Sequence, residues 1–289
     1  MKKPLFSFGV IADCQYADRD DATAISSDRR HIHDNRYRLS PSKLEEAIEF
    51  FNQNELEFVV HLGDFVDSNV KEYAPPLLDI VSRSKAPFWH VLGNHEYHKA
   101  DCDEIEILAT YGLEKSYYAN SIKSHKFIVL DTNELGVIKH SDKNTPEWEM
   151  GDQYLQTFVD RGALNAYPWN GGVGAEQMRW LQGEIEIAHR AGERVILFAH
   201  HPIFPHDGAN ALNDDEILNT IDESGGVIAY INGHNHFGAV GVRNGVPYVT
   251  MPAMLEDEKN AYAICTVYDD TLEFTGYGKA QDLSFDIVR

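Results

Sequence analysis

Apolar residues in this chain fall into short unbroken runs, separated by stretches with helical spacing. "FSFGVIAD" (6–13), "FVVHLGD" (58–64), "FWHVLGNHE" (88–96), "KFIVLD" (126–131), "RVILFAHH" (194–201) and "GVIAYINGH" (226–234) each read as a buried strand. Between them, "SKLEEAIEFFNQN" places Leu44, Ala47, Ile48 and Phe51 on one helical face, with Ser42 and Glu45 at capping-box spacing. "AEQMRWLQGEIEIAHRA" lines up Met178, Leu181, Ile185 and Ala188 in the same way. Near-continuous apolar strands alternating with helices predict a sheet covered on both faces. The character changes at the end: "VPYVTMPA", "AYAICTVYD" and "LEFTGYG" read as successive strands with tight turns, a meander. The class is α+β with an α/β-like body, expected as one domain over 1–289.

One segment breaks the rhythm. Asn133 to Gly174 separates a strand from the next clear helix and carries Pro146, Trp148, Trp169, Asn170 and "GGVG". Residues 147–160 fit a short helix. A loop this long is either a surface insertion or a lid or wall of a site.

Composition narrows the partners. The 289 residues include 46 acidic and 25 basic side chains, a formal charge of -21. Such a surface repels nucleic acid and anionic membranes, so neither is an expected partner. It also repels a phosphorylated substrate unless cations reverse the sign locally. The three cysteines, Cys14, Cys102 and Cys265, show no paired spacing and read as free, mostly buried thiols of a reduced protein. Lys2 and Lys3 ahead of "PLFSFGVIA" imitate a leader, but Pro4, Ser7 and Asp13 interrupt it. No apolar run approaches the length of a membrane span. The expectation is a soluble, cytoplasmic protein.

The same event recurs where the strands end. "FGVIA" gives way to Asp13-Cys14-Gln15, and "FVVHL" to Gly63-Asp64-Phe65-Val66-Asp67. "FWHVL" is followed by Gly93-Asn94-His95-Glu96, "VILFA" by His200-His201-Pro202, and "VIAYIN" by Gly233-His234-Asn235-His236. A charge at the end of an apolar run costs free energy unless something compensates it. In open α/β sheets, ligands bind outside the carboxyl ends of the strands. Hard oxygen donors mixed with imidazoles suit a divalent metal. Each cluster alone is ordinary turn chemistry; five in one chain, each directly after a buried strand, are not. The glycines before Asp64, Asn94 and His234 fit tight turns that leave room for metal and phosphate.

In that order, "DCQ", "GDFVD", "GNHE", "HHP" and "GHNH" resemble the five blocks of calcineurin-like metallophosphoesterases. The resemblance spans roughly Phe6 to His236 and implies a four-layer αββα sandwich of two mixed sheets with a two-metal site at one edge. By position it implies that Asp13, Gln15, Asp64 and His236 hold one ion, with Asp64 bridging. Asn94, His200 and His234 complete the second, His200 being preferred to His201 as the residue that ends the apolar run. His95 would contact substrate and protonate or stabilise the leaving oxygen, and Asp67 would orient His95.

Gln15 departs from the common D-x-H first block. A branch with D-x-Q, the manganese-dependent ADP-ribose/CDP-alcohol diphosphatases, is similar further: "WNGGVGAEQMRWL" resembles its "NGG…QLxWL" segment, "HHPIFP" its "HLPIYP", and Arg38 an arginine ahead of the first helix. An amide oxygen is a harder donor than imidazole, which tilts the site toward Mn²⁺ or Mg²⁺ over Zn²⁺, with Fe a further option. The resemblance implies hydrolysis of a small nucleotide-type phosphate substrate by water shared between two ions. Other phosphoester substrates (cyclic nucleotides, glycerophosphodiesters, monoesters) share this chemistry, and a metal-binding scaffold is the alternative of another class. Candidates for specificity lie in 18–38, 133–174 and 204–215. Tyr16, Trp169 and Phe204 offer rings that either stack a base or pack, Asn170 lies in the NGG segment, and Arg36 and Arg38 are candidates to hold a distal phosphate. His31, His33 and His98 lack a strand-end setting and are not expected to form a further metal site.

Overall fold

The first strand shows how the body is built. In the computed structural model, which describes residues 2–25, 31–140 and 142–287, β1 (Phe6–Ile11) alternates strictly. Phe6, Phe8 and Val10, with Ala12 just beyond, face one buried cluster, while Ile11 faces another. Both faces being apolar, both must be covered.

After β1 the chain runs through β2 (Ala22–Ile25), β3 (Ile32–Asn35), α1 (Ser40–Phe51), β4 (Val59–His61), α2 (Val70–Val81), β5 (Phe88–His90) and α3 (Glu104–Thr110). Then follow β6 (Tyr118–Ile122), β7 (His125–Val129), α4 (Pro146–Asp160), α5 (Ala175–Ala191), β8 (Arg194–Phe198), α6 (Asp214–Ser224) and β9 (Val227–Asn232). The chain ends with β10 (Ala239–Arg243), β11 (Val246–Thr250), β12 (Ala261–Val267), β13 (Thr271–Gly278) and β14 (Leu283–Asp286). One mixed sheet has the order β14-β13-β12-β1-β4-β5, the other β10-β11-β9-β8-β7-β6, and β2 with β3 forms a separate hairpin.

The sheets meet face to face through an aromatic-rich core. Phe8 stacks on Phe58 at 4.9 Å, Phe58 on Trp89 at 3.8 Å, and Phe127 on Phe198 at 5.9 Å, with Phe8 edge-on to Phe127 across the sheets. Burial of each such side chain is worth about 1.5–3 kcal/mol. The outer face of the first sheet is closed by Leu44, Ala47, Ile48 and Phe51 of α1 and Ala74 and Leu77 of α2. At Gly9 a Cβ would lie 3.1 Å from the Phe51 ring, so this helix packs against bare backbone. The second sheet is closed by Leu181, Ile185 and Ala188 of α5 and Ile217, Leu218 and Ile221 of α6. The result is the expected four-layer αββα sandwich.

Two expectations change. The final strands do not form one meander: β11 pairs parallel with β9 in the second sheet, and only β12–β14 run antiparallel in the first. Strand pairing is non-local, and a buried apolar run looks the same in either sheet. Ser42 does not cap α1. The helix starts at Ser40 with Pro41 in its first turn, and the Ser42 hydroxyl donates to the Leu39 carbonyl at 2.8 Å. A separate feature is that α2 contains Pro75 and Pro76. The carbonyls they leave unpaired belong to Lys71 and Glu72 on the exposed face, while Val70, Ala74, Leu77, Ile80 and Val81 keep the buried stripe. Within 133–174, the expected helix over 147–160 is α4; residue 141 lies outside the described residues.

Among the described residues no helix is long and apolar enough to cross a membrane. Cys14 and Cys265 are buried free thiols, and Cys102 is half-buried.

Candidate metal centre

The carboxyl ends of β1, β4, β5, β8 and β9 meet at one edge where the two sheets touch. The chain turns there by an unusual route. Asp13, Gln15, Asp64 and His234 all have positive φ, from 43° to 66°, although none is glycine. Such backbone is costly outside glycine and persists only where surroundings impose it. Here the surroundings are hydrogen bonds across the edge: Asp13 N–H donates to Gly63 O, Gln15 N–H to Asp64 O, and His234 N–H to the Asp13 carboxylate.

The glycines ahead of these residues are required, though not for the expected reason. A Cβ at Gly63 would lie 2.4 Å from His200 Nδ1, at Gly93 2.1 Å from Asp64 Oδ1, and at Gly233 2.6 Å from Asp13 Oδ2. The space they leave is filled by neighbouring side chains of the cluster, not held open for phosphate.

Tautomer logic then fixes what the imidazoles present. Asn170 donates its amide N–H groups to Asn165 O and Gly208 O, so its Oδ1 is an acceptor. That oxygen is 3.0 Å from His234 Nε2, which must therefore donate, leaving Nδ1 bare. Likewise His200 Nδ1 donates to Leu62 O at 2.8 Å, so its Nε2 faces inward. His200 Nε2 lies 3.1 Å from Asn94 Oδ1, 3.1 Å from His234 Nδ1 and 3.2 Å from Asp64 Oδ2. Four lone-pair atoms converge on one spot, all on buried or half-buried residues. Only a proton or a cation can occupy it. Without a cation the proton sits on His200: burial lowers its pKa, but the Asp64 carboxylate outweighs this and lifts it to about 9. A cation would displace that proton.

A second set adjoins the first. His236 Nδ1 is 2.8 Å from Glu256 Oε1, which turns its Nε2 toward Asp13 Oδ1 at 3.9 Å. Burial pushes the Asp13 carboxyl up to about 6, and the neighbouring His200 and His236 only partly offset it. Gln15 Nε2 donates to Asp64 Oδ2 at 3.1 Å, so Asp64 touches both sets. Buried carboxylates, amide oxygens and imidazole lone pairs at this spacing fit divalent cations of the Mn²⁺ and Mg²⁺ kind.

His95 and Asp67, paired by expectation, also come together. His95 Nδ1 is 3.1 Å from Asp67 Oδ1 and 3.0 Å from the Asp67 carbonyl, leaving Nε2 on the partly exposed side. Burial lowers its pKa, but Asp64 and Asp67 together raise it to about 9. A cation on Asp64 would remove part of that lift, while the part that Asp67 supplies remains.

Other expected residues are placed elsewhere. His201 has both ring nitrogens spent: Thr132 Oγ1 is 2.7 Å from Nδ1, and Nε2 donates to Trp169 O at 3.2 Å. Burial and His200 depress its pKa to about 3, so it stays neutral. Tyr16 pairs with Val66 and meets the ring of Tyr73 edge-on, and Phe204 packs on Tyr248. Trp169 stacks flat on Tyr167 at 4.5 Å, next to Asn170. Arg38 and Arg36 spend their guanidinium groups on acids, Arg38 on Asp18 and Asp20 and Arg36 on Asp21 and Asp34. Within the 18–38 segment, residues 26–30 lie outside the described residues.

Three functional neighbours were not legible as such. Glu96, fully buried, accepts from the N–H groups of Gly93, Asp64 and Phe65 and so shapes two of the glycine turns. Its proximity to the His95 block was the available signal. Glu256 follows the apolar stretch "VPYVTMPAML" but lies six residues beyond the end of β11, so no strand-end signal marks it. It holds His236 at 2.8 Å and also His33, 2.5 Å away on the β2–β3 hairpin. Arg19 carried no pattern at all; its Nη1 lies 2.6 Å from Asp67 Oδ2.

With this geometry in view, comparison with known proteins is decisive. The model of the calcineurin-like phosphoesterase family matches residues 6–238. The chain belongs to that family. It is a metal-dependent phosphoesterase. The chain is similar to the "Manganese-dependent ADP-ribose/CDP-alcohol diphosphatase" of Arabidopsis thaliana, 29% identical, covering 99% of this chain and 98% of that protein. The human protein of the same name is 30% identical, over 96% of this chain and 92% of its own length. Among solved structures, a dimetal phosphatase from Danio rerio superimposes with a TM-score of 0.87 at 24% identity, over 99% and 100% of the two chains. That likeness establishes the fold.

Proposed function

We propose that this phosphoesterase cleaves the diphosphate linkage of ADP-ribose or a CDP-alcohol, giving a nucleoside monophosphate and a phosphorylated alcohol. The observation carrying the reading is the convergence of His200 Nε2, His234 Nδ1, Asn94 Oδ1 and Asp64 Oδ2 on one point, inside a chain whose relatives of nearly equal length bear that activity in their names. Asp13, Gln15, Asp64 and His236 hold one ion in this reading, Asn94, His200 and His234 the other, and Asp64 is shared. When bound, two divalent ions, Mn²⁺ foremost, supply activation of water and charge neutralisation at phosphorus.

The chain's own residues do the rest. Asp67 fixes the His95 ring through Nδ1, so the proton available to substrate is on Nε2. That N–H is aimed at the oxygen that leaves phosphorus, where charge develops. Glu96 and the glycine turns it holds keep Asp64 within reach of both ligand sets. Asn170 and Glu256 fix the tautomers of His234 and His236, which makes them positioning residues.

The test is initial-rate hydrolysis by Mn²⁺-loaded protein of ADP-ribose, CDP-choline, cyclic AMP and bis-p-nitrophenyl phosphate. AMP and CMP release, with little action on the cyclic nucleotide, is the expected result. Preference for the phosphodiesters would overturn the substrate class while leaving the family unchanged.

A further inference from the structure

We propose that Arg19 is a positioning residue of the reaction, acting through Asp67 to hold His95. The inference rests on the reading of His95 as the group that meets the leaving oxygen.

Asp67 is almost fully buried, yet it carries two cationic or polar partners on two different oxygens. Oδ1 faces His95 Nδ1 at 3.1 Å, and Oδ2 faces Arg19 Nη1 at 2.6 Å. Its own N–H donates to Tyr16 O at 3.0 Å. A carboxylate held by one partner alone can swing about its last torsion; held at both oxygens it presents one orientation to His95.

Arg19 is itself fixed, although half of its side chain is exposed. Its guanidinium carbon lies 3.9 Å above the centre of the Tyr37 ring, and its Nη2 donates to the Tyr37 hydroxyl. That hydroxyl also accepts from Asn35 Nδ2 at 3.0 Å, and the ring is buried. Stacking on an aromatic face while gripping two oxygens uses the planar fork of arginine, which lysine lacks. The chain from Tyr37 through Arg19 and Asp67 to His95 therefore ties the catalytic imidazole to the segment that leads into α1.

Arg19 also supplies a permanent counter-charge. When His95 passes its Nε2 proton to the leaving oxygen, Asp67 loses the imidazolium it faced. The guanidinium holds the buried carboxylate in place until His95 is reprotonated, so the ring does not turn away between cycles.

The test uses Arg19→Met, Arg19→Lys, His95→Ala and the double variant Arg19→Met/His95→Ala, all Mn²⁺-loaded, with ADP-ribose as substrate. Arg19→Met is expected to lower kcat about tenfold with KM within about twofold of wild type, and Arg19→Lys to fall between. In the His95→Ala background, Arg19→Met is expected to cost nothing further, because the residue it acts through is gone. A rise in KM at unchanged kcat would overturn the proposal and make Arg19 a substrate contact. Losses that multiply in the double variant would overturn it as well. A second readout does not depend on turnover: in metal-free protein the His95 Nδ1–H resonance is expected to be sharp in wild type and broadened in Arg19→Met. An unchanged resonance would overturn the positioning role even if wild type proved inactive on ADP-ribose, an outcome that would sink only the substrate reading.

Discussion

Replacing His95 by alanine is expected to lower kcat on ADP-ribose by about 10²–10³-fold while the bound metal content stays at the wild-type level. The magnitude is that of removing one donor aimed at developing charge. His95 makes no contact with the four converging donors through its side chain; only its backbone N–H donates to Asp64 Oδ1, at 2.8 Å, and alanine preserves that bond. Metal retention and lost turnover should therefore separate cleanly. KM should change little, because the Nε2 proton serves the leaving oxygen and not the ground-state substrate. Steady-state kinetics beside metal analysis of the same sample checks both. Undiminished turnover would remove His95 from the chemistry and leave the alternative of a chain that binds metal without using its acid.

Lys139→Met is expected to destabilise the fold by about 3–5 kcal/mol. Lys139 is nearly buried, with Nζ 2.6 Å from Asp131 Oδ2 and 2.7 Å from Glu104 Oε1, and it lies over the Tyr97 ring. Asp131 is buried at the end of β7. Burial alone would raise its carboxyl, but the Lys139 ammonium outweighs that and holds it below the usual carboxylate range. The sign follows: a depressed acid contributes stability above its unfolded pKa of about 4, and the contribution is lost as pH falls through the folded value. Removing the cation leaves a buried, unpaired carboxylate. Urea unfolding at neutral pH measures the loss, and Lys139→Met/Asp131→Asn should recover much of it, since the uncompensated charge is then gone. Equal instability in the double variant would mean that packing of the lysine stem, not charge, sets the effect.

Much of the centre was legible because strand and ligand signals coincide. A buried strand needs an apolar run, and an Asp, Asn or His placed directly after it has no ordinary reason to be there. That logic located Asp13, Asp64, Asn94, His200 and His234 and chose His200 over His201, the residue whose two nitrogens are spent on Thr132 and Trp169. The same logic does not reach Glu256, which lies six residues beyond β11 in an irregular segment. Arg19 was out of reach. It sits in the polar stretch "ADRDDA", surrounded by acids, and only the path of the chain past Tyr37 brings it to Asp67. Arg38, in the same region, has the commoner outcome of a surface arginine, two exposed carboxylates. The sheet partner of β11 was equally hidden, since the sequence of an apolar strand does not name its neighbour.

The most direct measurement of the central claim is titration of Mn²⁺ into chelator-stripped protein, with bound ions counted and AMP release from ADP-ribose followed in the same samples. The account predicts no turnover in the stripped protein and a rise to a plateau at two ions per chain. Turnover that survives stripping, or a plateau reached with a single ion, would contradict it.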